Sequence, residues 1–209
     1  MKVISHRGYW RNIDDQNTLT SFSNSLSKGY GIETDIRDLD GDIVISHDLP
    51  RIKNKLFIDD FLDIYKTEED YRDLWLALNI KSDGLSFELG AHIKDYDLKN
   101  YFIFDNSIPD LRTYLDLGIK FFTRQSEYES DLPFYSSASG VWLDCFEKDI
   151  EDEETILSHI KNNKLICLVS PELHGRDHLK FWNFIADFET DSIMLCTDYP
   201  DEAHSFFNE

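Results

Sequence analysis

The feature that most limits how this chain can fold is an alternation. Short apolar runs of strand type recur at residues 2–6, 31–36, 42–47, 76–81, 101–105, 120–123, 140–145, 164–169 and 192–197. Segments with helical periodicity lie between most of them. In residues 18–28, Leu19, Phe22 and Leu26 follow an i, i+3, i+7 spacing, with Asn17 as the N-cap and Gly29 as the stop. Residues 107–117 read the same way: Ser107 caps, Pro109 suits the first turn, Ile108, Leu111 and Leu115 make one face, and Gly118 ends it. Residues 152–162 put Asp152, Glu153 and Glu154 in a first turn, where the helix dipole favours acids. Shorter helices are expected at 180–188 and 202–207. Strands alternating with helices imply a parallel sheet. The run at 42–47 follows Asp40-Gly41 and reads as the return arm of a hairpin. Eight strands remain, which predicts an α/β fold: a compact (β/α)8 TIM barrel with short loops, one domain over residues 1–209. A doubly wound open sheet is the alternative, but no Gly-rich phosphate loop follows the first strand.

Charge narrows the function. Lys plus Arg number 21 and Asp plus Glu 41, a net charge of −20. Nucleic acid needs a basic face to displace counterions, and anionic membranes repel such a surface, so neither is an expected partner. No apolar run approaches the ~20 residues of a membrane span, so no stable membrane insertion is expected. Cys145, Cys167 and Cys196 sit in apolar runs, as small buried hydrophobes of a reducing compartment do. With no room for a signal peptide ahead of His6, a cytoplasmic location is expected. A small phosphate-bearing substrate remains compatible, provided that Lys, Arg or a metal ion makes a local positive site.

In a (β/α)8 barrel the active site lies at the C-terminal strand ends. There the chain places His6, Glu33 with Asp35, Asn79 with Lys81, Asp105, Arg124, Asp144, Glu172 and Asp198. Glu33 and Asp35 are i, i+2 on a strand and share a face. Converging carboxylates repel unless a cation lies between them, and oxygen ligands suit Mg2+ or Ca2+. Asn79 and Lys81 have the same spacing on the next parallel strand. His6 ends the first strand and His47 the hairpin arm. Two imidazoles, a divalent cation and basic groups suit phosphodiester cleavage. One imidazole takes the proton of the attacking oxygen and the other protonates the leaving oxygen, while the cation and Lys81 neutralise charge on the phosphoryl oxygens. Gly8 lets the backbone turn sharply away from the pocket. The planar fork of Arg124 suits a phosphate. Glu172 and His174, in the polar loop after the seventh strand, could bind sugar hydroxyls or a head group. Trp142 reads as core.

Read together, these residues resemble the glycerophosphodiester phosphodiesterase family. The resemblance runs through His6-Arg7-Gly8, Asn17-Thr18, Ile32-Glu33-Thr34-Asp35-Ile36-Arg37, Asp40-Gly41 and Val44-Ile45-Ser46-His47-Asp48, with Leu78-Asn79-Ile80-Lys81 and Thr197-Asp198-Tyr199-Pro200 as later matches. It implies a TIM-barrel phosphodiesterase dependent on a divalent cation. His6 and His47 become the acid/base pair, Glu33 and Asp35 metal ligands, and Arg7 and Lys81 phosphate contacts. Asn79 stands where the family usually has an acid as third ligand, which should lower cation affinity; Asp144 or Asp105 could compensate. Gln16 likewise replaces an acid common before Asn-Thr, and residues 49–74 are short against the insertion many relatives carry. The expected substrate is a small phosphodiester, glycerophosphodiester-like or sugar-based. A non-catalytic phospho-ligand binder on the same fold and a phospholipase D-like lyase forming a cyclic phosphate are the alternatives.

Overall fold

The computed structural model describes residues 1–51, 55–150, 152–188 and 191–208. Eight parallel strands with helices between them make the (β/α)8 architecture, and one further strand is antiparallel. Strand β1 (Lys2–His6) opens the chain. Two compact units follow, Ser5–Phe121 and Phe122–Glu209, the second including Met1–Ile4.

The unit Ser5–Phe121 holds α1 (Leu19–Ser27), β2 (Gly31–Leu39), β3 (Asp42–Ile45), α2 (Ile58–Tyr65), β4 (Leu76–Ile80), α3 (Ser86–Asp95), β5 (Tyr101–Phe104) and α4 (Ile108–Asp116). Parallel register fixes what faces what. Glu33 pairs with Ala77 and Ala77 with Phe102; one pleat on, Asp35 pairs with Asn79 and Asn79 with Phe104. A polar row therefore stands on one face above a row closed by Ala77 and Phe102. The other face carries Ile32, Leu76 and Tyr101, then Thr34, Leu78 and Ile103. Helices α1 and α2 bury Phe22 and Phe61, whose ring centroids are 4.5 Å apart. Burying such a side chain contributes about 1.5–3 kcal/mol. β3 returns on β2 through Asp40 and Gly41, both at positive φ (55° and 92°), as a two-residue hairpin turn of primed type requires.

The second unit runs β6 (Phe122–Gln125), β7 (Gly140–Leu143), α5 (Glu153–Lys161), β8 (Leu165–Val169), α6 (Leu179–Ala186), β9 (Ile193–Thr197) and α7 (Pro200–Asn208). Arg124, Trp142, Cys167 and Met194 form one register row. Trp142 is buried core, as its setting in the sequence predicts. Cys145, Cys167 and Cys196 are free thiols, and the last two are buried. Among the described residues no helix is long and apolar enough to cross a membrane.

Several boundaries differ from expectation. The sixth strand is shifted from 120–123 to Phe122–Gln125, because Lys120 and Phe121 are spent on the end of β5: Ile103 N–H donates to the Lys120 carbonyl and Ile103 bridges Phe121. β2 extends to Leu39 to pair with β3. The N-cap of α1 is Thr18, whose hydroxyl accepts from Ser21 N–H, and not Asn17. Helices α2 and α3 are not among the expected elements. α3 begins without a side-chain cap, at Leu85, and at the start of α2 the Asp60 carboxylate accepts from Phe57 N–H (3.2 Å).

Candidate active site

Where β1 ends, Arg7 and Gly8 turn the chain at φ of 56° and 85°. The turn brings Arg7 back over β2. Its N–H donates to Glu33 Oε2 (3.2 Å), its Nε lies 3.1 Å from Asp35 Oδ2, and its Nη1 donates to Gln16 Oε1 (3.2 Å). Lys81 approaches from β4, its Nζ 3.5 Å from Asp35 Oδ1 and 3.9 Å from Asp105 Oδ2. His6 Nε2 is 3.9 Å from Glu33 Oε2. His6, Arg7, Glu33, Asp35 and Lys81 thus form one connected cluster, and Asn79 joins it as the register partner of Asp35.

Asn17 organises this cluster in a way the sequence conceals. Held at φ 55°, it donates from Nδ2 to Asp35 Oδ2 (2.8 Å) and accepts at Oδ1 from the Thr34 hydroxyl (2.8 Å), and its N–H donates to the Arg7 carbonyl (2.9 Å). It ties the turn carrying Arg7 to the strand carrying the acids. His47 belongs to the same unit through the backbone: Ser46 N–H donates to the Asp35 carbonyl (3.0 Å), and the His47 carbonyl accepts from Arg37 Nε (3.0 Å). The half-exposed His47 ring pairs Nδ1 with Asp48 Oδ1 at 2.9 Å. That hydrogen bond, and then the charges of His47, Arg7 and Arg37, hold the Asp48 carboxyl below its ordinary range. An ionised carboxylate can only accept, so Nδ1 carries a proton and it is Nε2 that can exchange one.

Charge and burial together define what the cluster can hold. Glu33 and Asp35 are fully buried. Burial, and then the neighbouring Asp35, push the Glu33 carboxyl up from 4.5 to about 7, against weaker opposition from His6, Arg7 and Lys81. Three acids, Glu33, Asp35 and Asp105, face two fixed cations, Arg7 and Lys81. Burial and the neighbouring acid make Glu33 the group that is costliest to ionise. A divalent cation would supply the missing charge, and the oxygens present fit one. Asp35 Oδ1 and Asn79 Oδ1 are buried without a hydrogen-bond partner, on adjacent strands of the same row, with Glu33 two residues away on that face. An all-oxygen set suits Mg2+ or Ca2+. Among the described residues no three His, Cys, Asp or Glu side chains gather as a metal site; the oxygens of this row include the neutral amide of Asn79.

The second unit gives the remaining expected residues partners of their own. Arg124 donates from Nε and Nη2 to Glu129 (2.6 and 3.0 Å), which takes up its fork. The Glu172 carboxylate accepts from the Ser170 and Thr197 hydroxyls and from Asp198 N–H (3.1 Å). It fastens the loop after β8 to the end of β9. Asp144 Oδ1 meets His174 Nε2 at 2.6 Å, and the imidazole packs on Phe146 with centroids 4.8 Å apart. His159 is buried between Tyr135 and Gln125.

No family model matches the chain, and no curated protein matches it. Solved structures do. A glycerophosphodiester phosphodiesterase from Agrobacterium tumefaciens str. C58 superposes with a TM-score of 0.73 at 17% identity, covering 99% of this chain and 98% of that one. One from Parabacteroides distasonis ATCC 8503 gives 0.69 at 18% identity, covering 99% and 96%. An Oleispira antarctica phosphodiesterase in complex with its product sn-glycerol-3-phosphate gives 0.64 at 18% identity, covering 100% and 97%. At these identities the likeness establishes the fold.

Proposed function

We propose that this chain is a metal-dependent phosphodiesterase of the glycerophosphodiester phosphodiesterase type, hydrolysing a small glycerophosphodiester-like or sugar phosphodiester. One observation carries the reading. Arg7 and Lys81 converge on Asp35, in one row with Asn79 and beside Glu33, on a fold shared with three phosphodiesterases. Two cations around buried acids make a seat for an anion once a divalent cation balances the acids. Glu33, Asp35 and Asn79 would hold that cation, which supplies charge neutralisation at the phosphoryl oxygens. Arg7 and Lys81 orient the phosphodiester: the guanidinium offers paired donors and the ammonium a point charge. His47, with Nδ1–H fixed by Asp48, presents Nε2 as the base that takes the proton of the attacking oxygen. His6, beside Glu33, returns a proton to the leaving alkoxide. Arg124 and Glu172, the other expected substrate contacts, have partners within their own unit: Glu129 accepts from Arg124, and Ser170, Thr197 and Asp198 donate to Glu172.

The experiment is turnover of glycerophosphodiesters and of an aryl phosphodiester with Mg2+, Ca2+ or Mn2+, against EDTA. Activity is expected only with a cation, and His6→Ala and His47→Ala should each abolish it. Phosphorus NMR reads the product as a monoester for a hydrolase or a cyclic phosphate for a lyase. Absence of cation-dependent turnover, with phosphate-ester binding retained, would replace this reading with that of a binding protein.

A further inference from the structure

Phe104, the last residue of β5, pairs with Asn79 and shares its face. In an extended chain the next side chain would point to the opposite face. Asp105 departs from that rule. Its φ is 65°, and the carboxylate comes to 3.9 Å from Lys81 Nζ, the ammonium that stands 3.5 Å from Asp35 Oδ1. Asp tolerates the left-handed conformation, which takes the carboxylate off the face that an extended chain would give it. Both separations exceed the ~2.7–2.9 Å of a tight charge-assisted hydrogen bond. The ammonium is therefore shared between two carboxylates and locked to neither.

We infer that Asp105 is a positioning residue: its carboxylate counterbalances Asp35, keeps the Lys81 ammonium off Asp35 Oδ1, and so leaves Lys81 aimed at the phosphodiester. The inference rests on the phosphodiesterase reading above and gives the left-handed turn after β5 a purpose within it. Without Asp105, the acids that attract Lys81 all lie on β2, with Asp35 the nearest, and the ammonium closes on it. The ammonium would then neutralise Asp35 in the ground state and be less available to charge that develops during the reaction.

The test compares wild type, Asp105→Asn, Asp105→Gly, Lys81→Met and the double variant Asp105→Asn/Lys81→Met in cation-supplemented turnover of an aryl phosphodiester. Asn tolerates the left-handed conformation and Gly adopts it without strain, so both single variants should melt within ~4 °C of wild type. Each should lose kcat by roughly tenfold or more, as loss of one electrostatic contact to the transition state does, with KM changed less than twofold. In the Lys81→Met background Asp105→Asn should cost nothing further, because its effect passes through the ammonium. Wild-type kcat in Asp105→Asn or Asp105→Gly overturns the inference and leaves the phosphodiesterase reading standing. So does a loss confined to KM, a loss that follows the melting temperature, or full additivity with Lys81→Met. An inactive wild-type protein removes both.

Discussion

Replacing Gly8 by alanine strikes the joint between the cluster and the helix behind it. A Cβ at Gly8 would stand 2.5 Å from Ser21 Oγ, 2.7 Å from Ser21 Cβ and 2.9 Å from the Ser21 backbone carbon. The hydroxyl can rotate away, but the backbone carbon belongs to the first turn of α1. The left-handed backbone costs a side chain about 1–2 kcal/mol, and forced overpacking adds about 1–3 kcal/mol. The sum, about 2–5 kcal/mol, is a fall in melting temperature of roughly 5–20 °C for a chain of this size. The damage should also reach the chemistry. Tyr9 N–H donates to the Ser21 carbonyl (2.9 Å) and the Ser21 hydroxyl to the Arg7 carbonyl (3.2 Å), so displacing Ser21 displaces Arg7. Calorimetric melting, with turnover measured well below the transition, reads both effects. A Gly8→Ala protein that melts within 2 °C of wild type would refute the packing argument.

Two further outcomes follow from the acids. The folded Glu33 carboxyl sits above its ordinary value, so its contribution to stability is fully present below about pH 4.5 and is lost as pH rises through about 7. Urea titrations in EDTA should show wild type losing up to about 3 kcal/mol against Glu33→Gln across that window; parallel curves at every pH would contradict the assignment. Asn79→Asp adds a charge to the unpartnered amide oxygen. It should tighten Mg2+ or Ca2+ binding on the order of tenfold by calorimetry and lower the stability of the cation-free protein.

The sequence makes the strands legible because each is a short apolar run closed by a polar residue. It makes the shared face of Glu33 and Asp35 legible because a strand repeats every two residues. What it hides are choices between partners. Asn17 looks like a helix cap, since Asn before an apolar helix commonly is one, but Thr18 can cap equally well. The bond from Asn17 to Asp35 spans eighteen positions and leaves no periodic trace. Arg124 carries a phosphate-sized fork whether or not Glu129 fills it. Helix α3 escaped because its start has no side-chain cap and Gly90 interrupts its pattern. Asp105 was visible as a strand-end acid, but only the backbone angle shows that it turns toward Lys81.

The hairpin that delivers His47 works as a vernier. Asp35 lends its side chain to the ion cluster and its carbonyl to Ser46, one residue before the imidazole. Ser46 is therefore indexed to the same rung as Asp35 and the imidazole follows one step beyond it, so neither can be moved along the sheet without the other. A single residue gained or lost at Asp40-Gly41 would throw His47 out of phase while Asp35 stayed in place, so length changes at that tip are confined to whole pleats.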